Sequence, residues 1–361
     1  MKISDYYTYA PKSKIKAGDA NPNGKYQFYT SSPDESRRCD EYLYDCKAIV
    51  MGTGGSTTLH YYDGKFSTST DCLTLIPNEK IRAKYLYYFF LANMDVLEAG
   101  FKGAGLKHMS KGYIDNIEIT KIPSLPSQDK IVNLFDELAL RIEKERRQIK
   151  KLDELVKARF VEMFNMESYP IKPLSEIAEY WNGLTYKPSD VSSDGTIVLR
   201  SSNIQDMQLD LNDIVRVKCK INNKKMVKTN DILMCSRNGS AKLVGKVALI
   251  PELEETMSFG AFMMIIRSAY YPYLMTYFQL PVFRSQISTG TTTINQITRY
   301  MLDKVSLPVP DMAKIKEFKT FVTQVDKSKF VLSNELTMCD FYIRLIHDRV
   351  MHSCINLRVA Q

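Results

Sequence analysis

Two strings in this 361-residue chain carry residue types that could do chemistry by themselves. Pro33-Asp34 followed by Asp45-Cys46-Lys47 matches the loose pattern in which carboxylates hold Mg²⁺ and a lysine orients the nucleophile. The pattern is degenerate, and Ser31–Glu41 reads as a polar turn, so a Mg²⁺-dependent nuclease stands as an alternative only. Gly52-Thr53-Gly54-Gly55-Ser56 follows the apolar run Ala48–Met51 but lacks the Walker lysine and the third glycine of a dinucleotide fingerprint. It suits close approach of backbone to a ligand such as DNA phosphate. A methyltransferase acting on amino groups would need an Asn/Asp-Pro-Pro-aromatic motif, and the sequence contains no Pro-Pro pair. His60, His108, His347 and His352 are the only histidines, and the seven cysteines include no CxxC pair. Neither a zinc site nor a nucleophile–base set can be assembled from them. The expectation is a chain with no catalytic residues, no metal ligands and no cofactor of its own.

The residue types left over are those that read nucleic acid. Arg237-Asn238-Gly239-Ser240-Ala241-Lys242 puts a guanine-type reader (Arg237), an adenine-type reader (Asn238), a hydroxyl (Ser240) and a phosphate partner (Lys242) on one turn. Residues 289–296 add Thr291, Thr292, Asn295 and Gln296 on a flexible loop. In corresponding loops nearer the amino terminus stand Thr53, Ser56, Thr57, His60, Lys107, His108 and Lys111. Arg216, Lys218, Lys220, Lys224, Lys225 and Lys228 form a run without an intervening acid, which can track phosphates or be a solvated strand and turn. The formal charge of +8 is otherwise spread along the chain.

These loops must be carried by something, and an internal repeat says what. Tyr85–Phe90, Gly103-Ala104-Gly105 and Ile119–Pro126 recur as Tyr273–Phe278, Thr289–Thr292 and Val305–Pro310. Upstream, residues 24–32 resemble residues 195–204. Each copy reads as mixed strands, one aromatic-rich helix, a Gly/Thr loop, a short strand and a proline stop. After each stop comes a heptad seam. Positions 131, 135, 138, 142, 145, 149, 152, 156, 159 and 163 are apolar except Glu145 and Arg159. Positions 315, 318, 322, 325, 329, 332, 336, 339, 343, 346 and 350 are apolar except Lys329. Sustained spacing of this kind predicts coiled-coil pairing of two long helices. The fold class is therefore α/β (α+β), with domains at 1–126 and 169–312 and helical spacers at 127–168 and 313–361. No apolar run is long enough to span a membrane, and nothing resembles a signal peptide, so a reduced, cytoplasmic protein is expected.

Domain, helix, domain, helix in duplicate resembles the specificity subunit of type I restriction–modification systems. Pro173–Ala178 with Gly183 is similar to the opening strand of a target-recognition domain in that family, and Leu199–Ile204 to its second strand. Asn230–Met234 and Gly245–Ala248 are similar to its central hairpin. The first copy lacks a clear Leu-x-x-Ile-Ala opening. The resemblance implies two recognition domains, each reading one half of a bipartite double-stranded DNA target, and it adds Arg200, Ser202 and Asn203 to the DNA-contacting set. It implies an antiparallel helix pair that spaces the half-sites and docks two modification (methyltransferase) subunits, together with ATP-dependent restriction subunits. S-adenosylmethionine and the catalysis then belong to the partners. A coiled-coil scaffold whose domains bind protein is the remaining alternative.

The spacer reading is testable directly. Four residues inserted between Lys150 and Lys151 add about 6 Å of helical rise, close to two base pairs. The expected outcome, read by mapping methylation across a library of gap lengths, is unchanged half-sites with a gap one or two base pairs longer. An unchanged gap with full activity would refute it.

Overall fold

The computed structural model describes residues 1–103, 107–164, 168–287 and 296–348. The chain divides into two compact units, residues 1–148 with 332–361 and residues 149–331.

The first unit is built on one six-stranded sheet in the order β1-β6-β4-β5-β2-β3. Its strands are β1 (Tyr7–Tyr9), β2 (Tyr26–Tyr29), β3 (Arg38–Cys39), β4 (Tyr44–Gly52), β5 (Thr58–Thr68) and β6 (Cys72–Pro77). The central strand β4 pairs antiparallel with β5 from Tyr44↔Phe66 to Gly52↔Thr58, and with β6 on its other side. Ala48–Met51 is continuously buried because both faces of the sheet are covered, which is why it reads as an apolar run rather than an alternation. Helices α1 (Ala83–Ala92), α2 (Met94–Ala99) and α3 (Lys111–Asp115) follow. The aromatic string lies on α1, where Tyr85, Leu86, Phe89 and Phe90 pack against Ile49, Met51, Leu73 and Leu75. Met1 and Ile119 exchange backbone hydrogen bonds (3.2 and 2.9 Å), closing the domain just before the proline stop.

The second unit repeats this topology with one cut. It contains β7 (Ile171–Pro173), α5 (Leu174–Ile177), β8 (Glu179–Asn182), β9 (Val191–Ser192), β10 (Thr196–Leu199), β11 (Ile204–Gln205), β12 (Gln208–Leu209) and β13 (Arg216–Val217). It continues with β14 (Ile232–Cys235), β15 (Val247–Leu249), β16 (Met257–Phe259) and β17 (Met263–Arg267). Helices α6 (Tyr271–Tyr277), α7 (Pro281–Ile287) and α8 (Arg299–Asp303), then β18 (Ser306–Pro308), complete it. One four-stranded sheet runs β15-β14-β17-β8, another runs β16-β10-β13-β9, and β18 pairs with β7. In the first unit β5 pairs antiparallel with β4 and parallel with β2. Here β15 takes the first pairing and β16 the second, so one sheet becomes two.

Two expected strands are corrected. Leu174–Ile177 is a helical turn, with the strand displaced to β8. The other expected strand ends at Leu199, and Ser201–Asn203 folds into a 3-10 turn because the Asn203 side chain caps the Arg200 N–H at 2.8 Å. The central hairpin is present as β14–β15.

The two long helices are α4 (Leu125–Met163) and α9 (Met312–Ile346). The first starts two residues before its expected position, with Pro126 in the opening turn, where a missing N–H costs nothing. All ten seam positions on α4, and all ten described ones on α9, are buried or half-buried. The helices pair antiparallel within each unit. In the first, Phe135 meets His347 and Arg141 meets Glu335, while in the second Asp153 meets Lys329 and Arg159 meets Glu317. Of the polar seam residues, Lys329 takes Asp153 across the pair at 2.5 Å, while Glu145, 4% exposed, takes Arg141 of its own helix at 2.8 Å through Oε1.

The second unit also holds an ion pair whose carboxylate is buried and whose guanidinium is half-buried. Asp231, 1% exposed, accepts from Arg267 Nε and Nη2 at 2.6 and 2.7 Å and from the Lys228 N–H at 2.7 Å. Asp231→Ala leaves Arg267 without its carboxylate and should cost about 3–5 kcal/mol. The measurement is denaturant unfolding followed by Trp181, the single tryptophan, whose ring lies 4.9 Å from the Arg267 guanidinium.

Candidate nucleic-acid interface

The residue that follows the central strand is held identically in the two copies. The Thr53 N–H donates to the Asp71 carbonyl (2.9 Å), and the Thr53 carbonyl accepts from the Met109 N–H (3.0 Å). The Ser236 N–H donates to the Phe262 carbonyl (2.9 Å), and the Ser236 carbonyl accepts from the Ile297 N–H (2.7 Å). Each bond pair lays the loop after the central strand beside the loop that leads into α3 or α8. The next residue bridges across the junction, Gly54 to His108 in one copy and Arg237 to Gln296 in the other. Ser31 and Ser201 brace the junction from the preceding strand. Ser31 Oγ donates to the Asp71 carbonyl (2.6 Å) and accepts from the Thr53 N–H (3.2 Å), and Ser201 Oγ accepts from Asn238 Nδ2 (3.1 Å). Gly52 is required here, since a Cβ would lie 2.8 Å from Ser31 Cα.

In the first copy the junction gathers Thr53, Ser56, Thr57, Lys107 and His108. Ser56, Lys107 and His108 are exposed, and the Gly55 N–H donates to the Lys107 carbonyl at 3.1 Å. Thr53 Oγ1 is engaged with the Asp71 carbonyl (2.9 Å), and Thr57 Oγ1 is buried without a hydrogen-bond partner. Lys111 is occupied elsewhere, its ammonium 4.3 Å from the Tyr9 ring centroid. His60 is corrected as an outward-facing residue. It is 4% exposed on β5, with Nδ1 2.8 Å from Glu35 and its ring stacked on Tyr29.

In the second copy Arg237, Ser240, Lys242 and Gln296 are exposed, and Asn238 is half-buried with Oδ1 accepting from the Ser240 N–H at 2.9 Å. Thr291, Thr292 and Asn295 lie outside the described residues. Asn203 is corrected as a base-contacting residue. It is fully buried, and its amide donates to the Asp210 and Asp213 carbonyls at 2.8 and 2.9 Å. Arg200 holds Asp213 at 2.9 Å, and Ser202 Oγ is buried without a partner, so this string braces the turn.

The basic run is less free than its sequence suggests. Arg216 makes a bidentate pair with Glu255 (both contacts 2.8 Å), and Lys218 pairs with Asp194 at 2.7 Å. Both acids are distant in sequence. Lys225 donates to the carbonyls of Asn182 and Gly183, and burial, with Lys224 beside it, lowers its pKa below the ordinary lysine value. Lys220, Lys224 and Lys228 remain exposed.

Sequence reasoning missed Asn182, Asp71 and Phe262. Asn182 Nδ2 contacts Ser236 Oγ (3.4 Å) and the Ala261 carbonyl (3.5 Å). Asp71 and Phe262 occupy the same turn in the two copies, and only pairing in space reveals them. Ser31 and Ser201 had a signal, since they lie within the upstream repeat.

The nuclease alternative fails on geometry. The Asp34 carboxylate is turned into its own loop, accepting from the Ser36 N–H (2.9 Å) and hydroxyl (2.6 Å), which lower its pKa, while Lys47 pairs with Asp63 across the β4–β5 hairpin at 3.2 Å. Among the described residues no group of three or more His, Cys, Asp or Glu could hold a metal ion.

Comparison with known proteins follows the same lines. Residues 1–154 match the family described as the type I restriction modification DNA specificity domain. The chain is 24% identical over 144 residues to the type I restriction enzyme EcoDI specificity subunit of Escherichia coli, covering 40% of this chain and 32% of that one. It is 28% identical over 177 residues to the StySPI specificity subunit of Salmonella potsdam, covering 45% and 38%. The matched stretches thus span about a third of these relatives' own length. The fold is shared throughout with the type I restriction–modification S subunit from M. genitalium (TM-score 0.63, 15% identity, 99% of this chain and 95% of that one). A chain from a structure of type I R-M complex assembly and conformational transition gives a TM-score of 0.51 at 14% identity, covering 97% and 96%.

If the nuclease-like pattern is accidental, Asp34→Ala and Asp45→Ala leave duplex binding unchanged, with and without Mg²⁺. A Mg²⁺-dependent loss of binding or of cleavage in either variant, measured by gel shift and by nicking of supercoiled plasmid, would reverse that conclusion.

Proposed function

We propose that this chain, whose residues 1–154 match the type I restriction modification DNA specificity domain family and whose fold is shared with a type I S subunit, is the DNA-reading subunit of such a system. Each copy reads one half of a bipartite double-stranded target. The observation that carries this reading is the paired junction. The main-chain scaffold is the same in both copies, yet it presents Gly54 and His108 in one and Arg237 and Gln296 in the other. A constant frame with exchanged side chains is what two different half-sites require, because phosphate contacts position a protein on DNA while side chains on base edges specify.

The reading domains are residues 1–126 and 169–312, with helical spacers at 127–168 and 313–361. Two modification subunits dock on the helices, and ATP-dependent restriction subunits join the complex. Methyl transfer with S-adenosylmethionine and DNA cleavage are the partners' chemistry, carried out in the cytoplasm, and this chain contributes no catalytic group. Apolar residues off the seam support docking. Leu140 and Phe341 are 68% and 56% exposed on the helices of the first unit, and Phe330 is 67% exposed in the second. No helix among the described residues is long and apolar enough to cross a membrane.

The test is duplex binding by the full chain across a salt series. Arg237→Ala should weaken the cognate half-site by about 1–3 kcal/mol and relax specificity at one or two positions. Lys224→Ala should weaken all duplexes alike and flatten the salt slope by about one. Lys225→Ala, which loses bonds to two carbonyls, should lower stability as well. A chain that showed no salt-dependent binding to random duplex would fit the protein-binding scaffold instead.

A further inference from the structure

Phe262 is 60% exposed at the turn between β16 and β17, an unusual place for a phenylalanine. The backbone there does not need the ring. Asp71 occupies the same turn in the first copy, and its carbonyl accepts the same hydrogen bond. The Phe262 carbonyl also accepts from the Arg237 N–H at 3.0 Å, which fixes the two residues side by side. Above that bond the Arg237 guanidinium stands over the aromatic ring, 5.3 Å from its centroid. Among the described residues neither side chain is engaged in core packing or ion pairing elsewhere. Phe262 belongs to none of the buried clusters, and Arg237 has no acidic partner among the described residues. Gly54, at the position of Arg237 in the first copy, has no side chain to support, and the turn facing it carries no aromatic.

We propose that Phe262 is a positioning residue for Arg237, holding its guanidinium as a fork aimed at a guanine in the half-site read by the second copy. The inference rests on the DNA-reading function proposed above. An exposed arginine samples many rotamers, and ordering it on binding lowers the gain from its two hydrogen bonds to guanine O6 and N7. An aromatic face attracts the cation through its quadrupole and restricts those rotamers before DNA arrives. The acidic side chain at the corresponding turn of the first copy would instead draw an arginine away from the base. The ring and the guanidinium therefore act as one reading element, built from loops that lie 25 residues apart in sequence.

The test uses the full chain and a duplex library randomised over both half-sites, sequenced before and after selection. The wild type is compared with Arg237→Ala, Phe262→Leu, Phe262→Trp and the Arg237→Ala/Phe262→Leu pair. Phe262→Leu, which keeps the apolar volume and removes the quadrupole, should cut the guanine preference about three- to tenfold at the same base pairs that Arg237→Ala affects. Phe262→Trp should retain the preference, and the double variant should be no worse than Arg237→Ala. The other half-site and the affinity for random duplex should not move. An unchanged preference in Phe262→Leu overturns the proposal. So does a loss that adds to that of Arg237→Ala, or one at different base pairs, which would mark a direct contact of the ring with DNA. A wild type that selects no sequence would overturn the DNA-reading function itself, which separates the two failures.

Discussion

The candidate reading loops of each copy are joined through one main-chain residue. Thr53 and Ser236 each donate forward to the neighbouring turn and accept from the loop that enters the next helix. Backbone groups at the end of a central strand must find partners, and here the partners lie on two separate segments brought to a point. The two bonds shared by both copies are backbone to backbone, so they make no demand on the side chains of Asp71, Met109, Phe262 or Ile297. The side chains at the junction are left to vary, and they do: Asp71 against Phe262, His108 against Gln296, Gly54 against Arg237.

The helices obey a second constraint. A seam of apolar residues alone would let two helices slide by a heptad or pair in the wrong direction. Arg141, which holds the seam residue Glu145 on its own helix, reaches Glu335 across the pair in the first unit, and Lys329 reaches Asp153 in the second; both crossings are made in only one register. The polar residues that interrupt the pattern in sequence therefore specify the pairing.

Much of this was legible in the sequence, for identifiable reasons. The duplication showed because the aromatic strings of α1 and α6 pack on equivalent strands, and packing constrains residue type. The seams showed because an apolar period of 3.5 residues, sustained over five heptads, keeps one narrow stripe of a helix against a partner. The described seam positions are all withdrawn from solvent. Less legible was anything decided by long-range pairing. The run from Arg216 to Lys228 looked uniformly basic because Glu255 and Asp194 lie outside it. Asn203 looked like a reader because asparagine caps turns as readily as it contacts adenine, and only burial separates the two roles. His60 failed the same way, hidden on the inner face of a strand. Phe262 gave no signal, since a phenylalanine near buried strands is ordinarily core.

The split of β5 into β15 and β16 has a consequence for how the two copies can diverge. In the first copy one strand serves β4 on one side and β2 on the other, so any change in its length displaces both partners. In the second copy the two duties are separated by residues 250–256, of which only Ile250 is buried and only Leu253 half-buried. Extra residues there can be absorbed as a surface loop, leaving the β14–β15 and β10–β16 registers untouched. The second copy can in this sense change its outline at residues 250–256, where the first has one continuous strand.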